Sequence, residues 1–551
     1  MQKNICFIEN YRDFSLISKV DTNNTLFVPL NLETFIFCKE RDYEIFDFEK
    51  NILVNFHQEA LKASKEFTES LKFNLNINYS LKSEIIFFLR FRFNSIIFIL
   101  EIINKIKNKY KINKIIVSGL KKNIHKNIDD ANIVTEIVEN LYKDEILIEK
   151  LSEPDEEKVV FHLEGYKPKI KNLNLKNGVM LNNVGYNFKK IISILNAKKI
   201  KVWVPFFNNV NIIKKIFYKL RGFNPIEFIK DGERQISKNY IRDIKFFYKS
   251  KDLSSLLNIF NQKLRYYFND VEQRSKALKE LINQNSISLT ISNITKGFNG
   301  SILDKDIKCN TLCISHGIIA KSFNKYDEIY KKNIAEAVFN GESKFFAIQS
   351  KTMKNSLVTH KVKGEILETG NIVFSSIKNK NAKQYILQAS TLKNFNNLQF
   401  LGVEMFYEYW SLLTILDQIC KKKEFMILIK PHPTIKNYKD KLQFFFKNLK
   451  FSNRSIDYLL RKSFILISYS SSTIEDALNS EVPVILFDTK KGYKHIESGN
   501  LTNESAVYYL DDKNHLENLF SKINNMKKIN FDKYIYRKNI KEEIIQILKK
   551  N

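Results

Sequence analysis

The chain has 551 residues, 44% of them apolar and 27% charged; that is room for two to four domains of ~100–200 residues, and it excludes a collagen-like or wholly disordered polymer. Lys and Arg number 89 against 60 Asp and Glu, a net charge of +29, which excludes an acidic or neutral surface and suits anionic partners. Five scattered cysteines (Cys6, Cys38, Cys309, Cys313, Cys420) without a CxxC argue against a disulfide framework or a cysteine zinc site and fit a reducing cytosol.

From the N-terminus, Glu9 interrupts the position where a secretory signal needs an apolar run, so no signal peptide is expected. Short strands are predicted over 25–30, 34–38 and 43–46, and helices over 51–71 and 81–109. The most apolar stretch, 85–103, is broken by Arg90, Arg92 and Glu101. It reads as a largely buried helix, with a helix lying on a membrane surface as the alternative. Strands follow at 114–118, 199–204, 225–230, 286–291 and 311–315, with helices at 208–220, 253–268 and 271–281. After a strand at 345–348, a helix at 350–357 and a turn at Thr369-Gly370-Asn371, the segment 375–393, rich in Lys, Asn and Ser, reads as a domain boundary. A second series has strands at 397–403, 425–430, 464–468, 482–487 and 506–510, helices at 405–420 and 473–479, and an apolar C-terminal helix at 533–549. Alternation of this kind implies parallel sheets covered by helices, with the ligand at the carboxyl ends of the strands.

Two loops of the second series carry chemistry. Lys430-Pro431-His432-Pro433 closes a strand, and its prolines hold the turn rigid. A lysine point charge and a histidine donor there suit a phosphate or pyrophosphate; a plain structural turn is the alternative. Ser470-Ser471-Ser472-Thr473 lies between a strand and a helix, with Glu475 two residues on. Hydroxyls and backbone N–H groups at such a turn bind anions. The alternative is a capping box formed by Ser472 and Glu475. Glu475 could also accept from ribose hydroxyls. Two earlier segments join them. Ser315-His316-Gly317 ends a strand, where Gly317 lets backbone approach closely and His316 can act as an acid or bind phosphate, or simply be a buried histidine. Asp231-Gly232 follows the strand at 225–230 and presents a carboxylate, or is a plain Asp-Gly turn.

KPHP at 430–433, the run from Ser470 to Ala477 and the strand after it resemble the donor-binding domain of GT-B glycosyltransferases. The resemblance is greatest to bacterial capsule and lipopolysaccharide transferases using CMP-linked Kdo or sialic-acid-like sugars, and to the glycerophosphotransferases of teichoic acid synthesis. It covers about residues 311–490, and His316-Gly317 is similar to a turn facing the cleft of those enzymes. It implies an α/β fold of two Rossmann-like domains facing across a cleft, with a C-terminal helix. Residues 1–375 would form the acceptor side, with room for an extra N-terminal subdomain, and 376–551 the donor-binding domain. Catalytic residues would be Asp231, His316 and His432; Gly317, Lys430, Pro433, Ser470, Ser471, Ser472, Thr473 and Glu475 would bind the donor. Asp231 corresponds to the second acid of an acid-acid-Gly motif whose first position is Lys230 here. In sialyltransferases such a carboxylate deprotonates the acceptor; in retaining Kdo transferases a carboxylate is thought to attack the donor.

The implied activity is transfer of a sugar from a nucleotide donor to a polysaccharide or lipid-linked acceptor, with polyol-phosphate transfer from a CDP donor as the alternative. No cofactor and no metal is expected: HExxH, apolar-flanked DxD and GxxxxGK[ST] are absent. His57, His125, His162, His360, His495 and His515 lack partners at metal-ligand spacing and read as structural. A nucleic-acid-binding protein has only the charge in its favour. That charge reads as spread along the chain, and no recognition motif accompanies it, so no nucleic-acid partner is expected. A cytoplasmic protein peripheral to the anionic inner face of the cytoplasmic membrane is expected instead.

Overall fold

Beside a two-stranded antiparallel pair, Phe247–Tyr248 with Lys251–Asp252, three sheets of four or more strands organise the described residues in the computed structural model. It describes residues 2–549 apart from 10–12, 53, 120–132, 153–162, 170–174, 184, 186–187, 235–237, 316, 318, 361, 378–384, 393–403, 423–424, 488–492, 500–504, 511–514, 526–527 and 538–540. The first sheet is small and all parallel: Thr25–Pro29, Gln2–Ile8, Lys111–Val117 and Leu147–Lys150, in that spatial order. The segment expected as a strand at 34–38 is instead inside the helix Leu32–Glu40. Asn31 accepts from the Thr34 N–H (3.0 Å) while the Thr34 hydroxyl accepts from the Asn31 N–H (3.2 Å). This reciprocal cap overrides the β-branched and aromatic composition of the segment. Expected strand 43–46 contributes only an isolated bridge, Ile45 to Phe27.

The long apolar helix Tyr79–Lys109 is buried in protein. Arg90, pushed down from its ordinary value by burial, pairs with Glu336 at 3.0 Å, and the Phe67 and Phe93 rings stack at 4.6 Å. Among the described residues no helix is long and apolar enough to cross a membrane.

The second sheet has eight strands. In spatial order they are Glu365–Glu368, Phe345–Ile348, Asn310–Cys313, Leu289–Ser292, Val179–Leu181, Val202–Phe206, Asn224–Arg234 and Leu163–Pro168. All are parallel except the last, which runs antiparallel to Asn224–Arg234. The chain winds outward from Val179–Leu181 to one side, then returns to Leu289–Ser292 and winds to the other. The two helices expected at 253–268 and 271–281 are one, Ser254–Gln284. The Asn269 side chain donates back to the Arg265 carbonyl (2.8 Å) instead of breaking the turn.

The third sheet is parallel, in the order Lys450–Phe451, Met426–Lys430, Tyr385–Ala389, Ser463–Ser468, Val484–Phe487 and Val507–Leu510. Numbered along the chain this is 3-2-1-4-5-6, the Rossmann order. The fold class is thus α/β with two Rossmann-type sheets, and a further four-stranded sheet inside residues 1–150. The founding strand, Tyr385–Ala389, lies within the segment read as a boundary (375–393). The strand expected at 397–403 lies outside the described residues.

The sheets are knitted together. Phe406 and Trp410 of the helix Phe406–Lys421, which covers the third sheet, meet Phe35 of the first unit at 5.4 and 5.2 Å. The last helix, Lys541–Lys549, begins later than expected. It sends Ile544 and Ile547 into the core of the eight-stranded sheet, not the six-stranded one that precedes it in the chain. There the Asn310 side chain donates to the Ile547 carbonyl (3.2 Å).

Candidate functional site

In a doubly wound sheet the loops on either side of the strand-order reversal diverge, leaving a crevice at the carboxyl edge. In the six-stranded sheet the reversal falls between Tyr385–Ala389 and Ser463–Ser468. The Ser468 hydroxyl donates to the Ala389 carbonyl (3.0 Å), and the Ser470 N–H donates to the Thr391 hydroxyl (3.1 Å). The serine turn is therefore pinned to the loop after the founding strand. On the other side Ala389 stands opposite Lys430. KPHP and the serine turn thus leave the same edge two strand spacings apart, roughly 10 Å.

Each predicted donor residue then has a definite setting. Lys430 is half-buried, and its ammonium donates to the Arg454 carbonyl (3.1 Å). Burial lowers its pKa, and the charge of Asp476 raises it in opposition. His432 is half-buried and Pro433 exposed. The His432 Nδ1 accepts from the Thr434 N–H at 3.3 Å and lies 2.9 Å from the Thr434 hydroxyl. In a neutral ring that leaves the proton on Nε2.

Ser470, Ser471 and Ser472 are all half-buried. Ser471 Oγ accepts from the Thr473 N–H (3.3 Å), and Ser472 makes no side-chain cap. The capping box read from Ser472 and Glu475 is therefore not formed. Glu475 faces inward instead. Its Oε1 lies 3.2 Å from Nε2 of His495, whose Nδ1 lies 2.9 Å from the Tyr493 hydroxyl. An Nε2-protonated neutral ring satisfies both contacts, donating to Glu475 and accepting from Tyr493. Among the described residues Glu475 Oε2 and Thr473 Oγ1 are buried without a hydrogen-bond partner. His495, read from the sequence as structural and solitary, is thus part of a buried Tyr493–His495–Glu475 chain directly beneath the serine turn.

The eight-stranded sheet presents its own carboxyl edge. Its reversal lies between Val179–Leu181 and Leu289–Ser292, where Asn182 and Asn183 both donate to Asn293 Oδ1, at 3.0 and 3.2 Å. Next to it, Asn310–Cys313 leads into the Ser315-His316-Gly317 turn. The Ser315 hydroxyl donates to the Gly317 carbonyl (2.7 Å), and Gln349, fully buried, donates from Nε2 to the Ser315 carbonyl (2.8 Å). A Cβ at Gly317 would meet nothing within 4 Å. His316 itself lies outside the described residues.

The two edges meet. Ala320, just past this turn, packs with Ile474 and Ala477 of the helix Thr473–Asn479. Asp476 on that helix accepts from the Ser375 N–H at 2.6 Å. Tyr330, on the helix Lys325–Val338, stacks edge-on against Tyr493 with centroids 4.6 Å apart.

Asp231 is placed differently from the other sequence candidates. The expected strand 225–230 does not end before it. It continues through Asp231 to Arg234, paired with Leu163–Pro168. The register slips between Glu164 and Tyr166, whose partners are Glu233 and Lys230, and Gly232 has φ 76°. This is a glycine-dependent β-bulge and not a loop at a strand end. The exposed Asp231 carboxylate lies 2.5 Å from the Lys167 ammonium of the edge strand. Its strand is four places from Asn310–Cys313 in the sheet, roughly 19 Å at the usual spacing.

Thr391, Gln349, Asn182, Asn293, Tyr493 and His495 escaped sequence reasoning. Thr391 follows a strand hidden inside an apparent linker, and the others bear no motif. Carboxyl-end polar residues after each apolar strand were the available signal.

No family model matches the chain, and no curated protein matches it. Solved structures do. A Methanocaldococcus jannaschii UDP-GlcNAc 2-epimerase in complex with UDP-GlcNAc and UDP is 14% identical over 68% of this chain and 99% of that one, with a TM-score of 0.42. The wall teichoic acid polymerase TagF, soaked with CDPG, is 13% identical over 69% and 90% (TM-score 0.37). TarM is 11% identical over 68% and 99% (TM-score 0.39).

Proposed function

We propose that this chain is a nucleotide-sugar-dependent glycosyltransferase of surface-polysaccharide synthesis. It moves a CMP-linked Kdo- or sialic-acid-like sugar to a polysaccharide or lipid-linked acceptor at the inner face of the cytoplasmic membrane. The observation that carries the reading is the 3-2-1-4-5-6 strand order, with the Thr391–Ser470 bond crossing its reversal. Nucleotides bind at such reversals. Lys430 and the hydroxyls of Ser470, Ser471, Ser472 and Thr473 hold the donor phosphate, with Pro433 and Gly317 shaping its walls. His432, and His316 from the opposite edge, stabilise the CMP phosphate as the sugar–oxygen bond breaks. Asp231 takes the acceptor proton or attacks the sugar. Glu475, held by His495, orders the turn that carries the serines.

The Asp231–Lys167 ion pair favours a second reading, a CDP-polyol phosphotransferase. There the acceptor hydroxyl attacks the polyol-bearing phosphorus, CMP departs, and a histidine receives the proton without any carboxylate.

A thermal-shift screen against CMP, CDP, UDP and GDP tests both. The cytidine nucleotides should raise the melting temperature, by the equivalent of about 2.7 kcal/mol at a hundredfold excess over Kd. Hydrolysis of a CMP-sugar against CDP-glycerol then separates the two. A flat response to all four nucleotides rejects the nucleotide-donor site itself.

A further inference from the structure

A helix on a protein surface ordinarily turns its apolar face inward. The helix Ile212–Leu220 does the opposite. Ile212, Ile213, Ile216 and Leu220 are 75, 78, 55 and 82% exposed and Phe217 48%. At 3.6 residues per turn these five share an arc of about 140°. The inward side is held by other means. Tyr218 packs between the rings of Phe206 (5.1 Å) and Phe223 (4.9 Å), and Lys215 pairs with Glu227 at 2.6 Å. Glu227 also accepts from the Val210 N–H (2.6 Å), and the Asn211 side chain caps the first turn. The apolar face is thus fixed toward solvent by a built support.

The charge around it is one-sided. Lys214, Lys219 and Arg221 are exposed on or beside the helix. The turn at Gly222 lies so close to Asn196 that a Cβ would come within 1.8 Å of its amide, which brings the exposed Lys198 and Lys199 alongside. Residues 165–226 hold 13 Lys and Arg and no Asp or Glu. Of these, Lys169 and Lys215 pair with Glu227 and Lys167 with Asp231, just outside the stretch, so a local excess of cations remains within the overall spread of charge.

We propose that the Ile212–Leu220 face is a membrane-docking surface that enters the interface of an anionic lipid bilayer. Apolar side chains in an arc with cations at the flanks match that interface, in which acyl chains lie just below anionic headgroups. Nucleic-acid surfaces, polar and uniformly charged, would leave the apolar arc unused. The helix follows the strand Val202–Phe206, whose carboxyl end opens on the cleft edge of the sheet. Docking here brings that edge to the bilayer, where a lipid-linked acceptor lies. Only this last step rests on the function proposed above.

The test is co-sedimentation of the full chain with vesicles of phosphatidylcholine alone and of phosphatidylcholine with one third phosphatidylglycerol. The chain should pellet with the anionic vesicles, less with the neutral ones, and less at high salt. Ile213→Ser with Leu220→Ser should weaken partitioning roughly tenfold or more. Lys219→Glu with Arg221→Glu should remove the preference for anionic lipid. All four side chains are solvent-facing, so an unchanged melting temperature certifies the fold. The proposal is overturned if the parent stays in the supernatant with both vesicles, or if the Ser variant pellets as well as the parent. It is also overturned if the Ser variant turns a dimer into a monomer by light scattering, or loses oligonucleotide binding while vesicle binding persists. Nucleotide-induced thermal shifts are read separately, so loss of the donor reading leaves this result standing.

Discussion

Asp476→Asn should stabilise the protein at neutral and alkaline pH and do little in acid. Asp476 is 8% exposed. Burial raises its pKa to about 7; Glu475 and Asp457 push the same way, while the Ser375 N–H and Lys190 oppose. Lys430, across the serine turn, also feels its charge. Unfolded, the carboxyl returns to its ordinary value near 3.8. The native state therefore holds the extra proton between about pH 4 and pH 7. The stabilisation is fully present below the unfolded pKa and is lost as pH rises through the folded one. About three pK units set a ceiling of about 4 kcal/mol. At ~2–4 °C per kcal/mol for a unit of this size, the parent should lose at most roughly 8–16 °C between pH 4 and pH 8. Asparagine keeps an oxygen for the Ser375 N–H and cannot ionise, so its pH curve should be flatter and lie above the parent's at pH 8. The assay is melting temperature from pH 4 to 8. Parallel curves, or a variant that melts lower at pH 8, would show an ionised and paired carboxylate and refute the reasoning.

His432→Ala should lower turnover by ~10²–10³, the usual loss of one donor to a developing charge. It should change the melting temperature little, because the ring is only half-buried and bonds the Thr434 hydroxyl and N–H two residues on; activity within a few-fold of the parent removes the role. Ser471→Ala with Ser472→Ala should weaken nucleotide affinity with only a small melting change, since Ser472 caps nothing and Ser471 gives up only the long 3.3 Å bond it accepts from the Thr473 N–H. A loss of stability as large as the ~0.5–2 kcal/mol of a cap, at unchanged affinity, would restore the capping explanation.

The alternation of strands and helices was legible because buried parallel strands such as Phe345–Ile348, Asn310–Cys313 and Ser463–Ser468 are continuous apolar runs. The founding strand Tyr385–Ala389 was not, because its flanks are rich in Lys and Asn and its middle holds Gln388. With it went Thr391 and the reversal that organises the candidate site. The strand Gln2–Ile8 and the helix Leu32–Glu40 were lost to similar local signals: a polar start in the first, and in the second a cap that only the geometry of Asn31 and Thr34 reveals. The serine turn and KPHP were legible as motifs. Their supports were not, since His495 lies 20 residues beyond Glu475 and nothing in the spacing announces the contact.

The remaining prediction concerns Asp231 and decides between sugar and phosphate chemistry. Its carboxylate is engaged by Lys167, and both side chains are roughly half exposed, 49% for the lysine and 43% for the aspartate. Ion pairs this exposed are worth ~0–1 kcal/mol, so an acceptor hydroxyl can displace the lysine at little cost. The Asp231 strand lies four places, roughly 19 Å, from Asn310–Cys313 in the sheet, so the proposed mechanism gives Asp231 and His316 separate tasks. If Asp231 is the base or nucleophile, His316 must serve the phosphate. Asp231→Asn should then cut turnover with a CMP-sugar by ~10²–10⁴ at unchanged nucleotide affinity. Lys167→Ala, which frees the carboxylate, should leave turnover near the parent's. Turnover of the Asn variant within a few-fold of the parent would remove the carboxylate from the mechanism. Phosphoryl transfer, which needs only the histidines and the anion-binding turns, would then be the reading left standing.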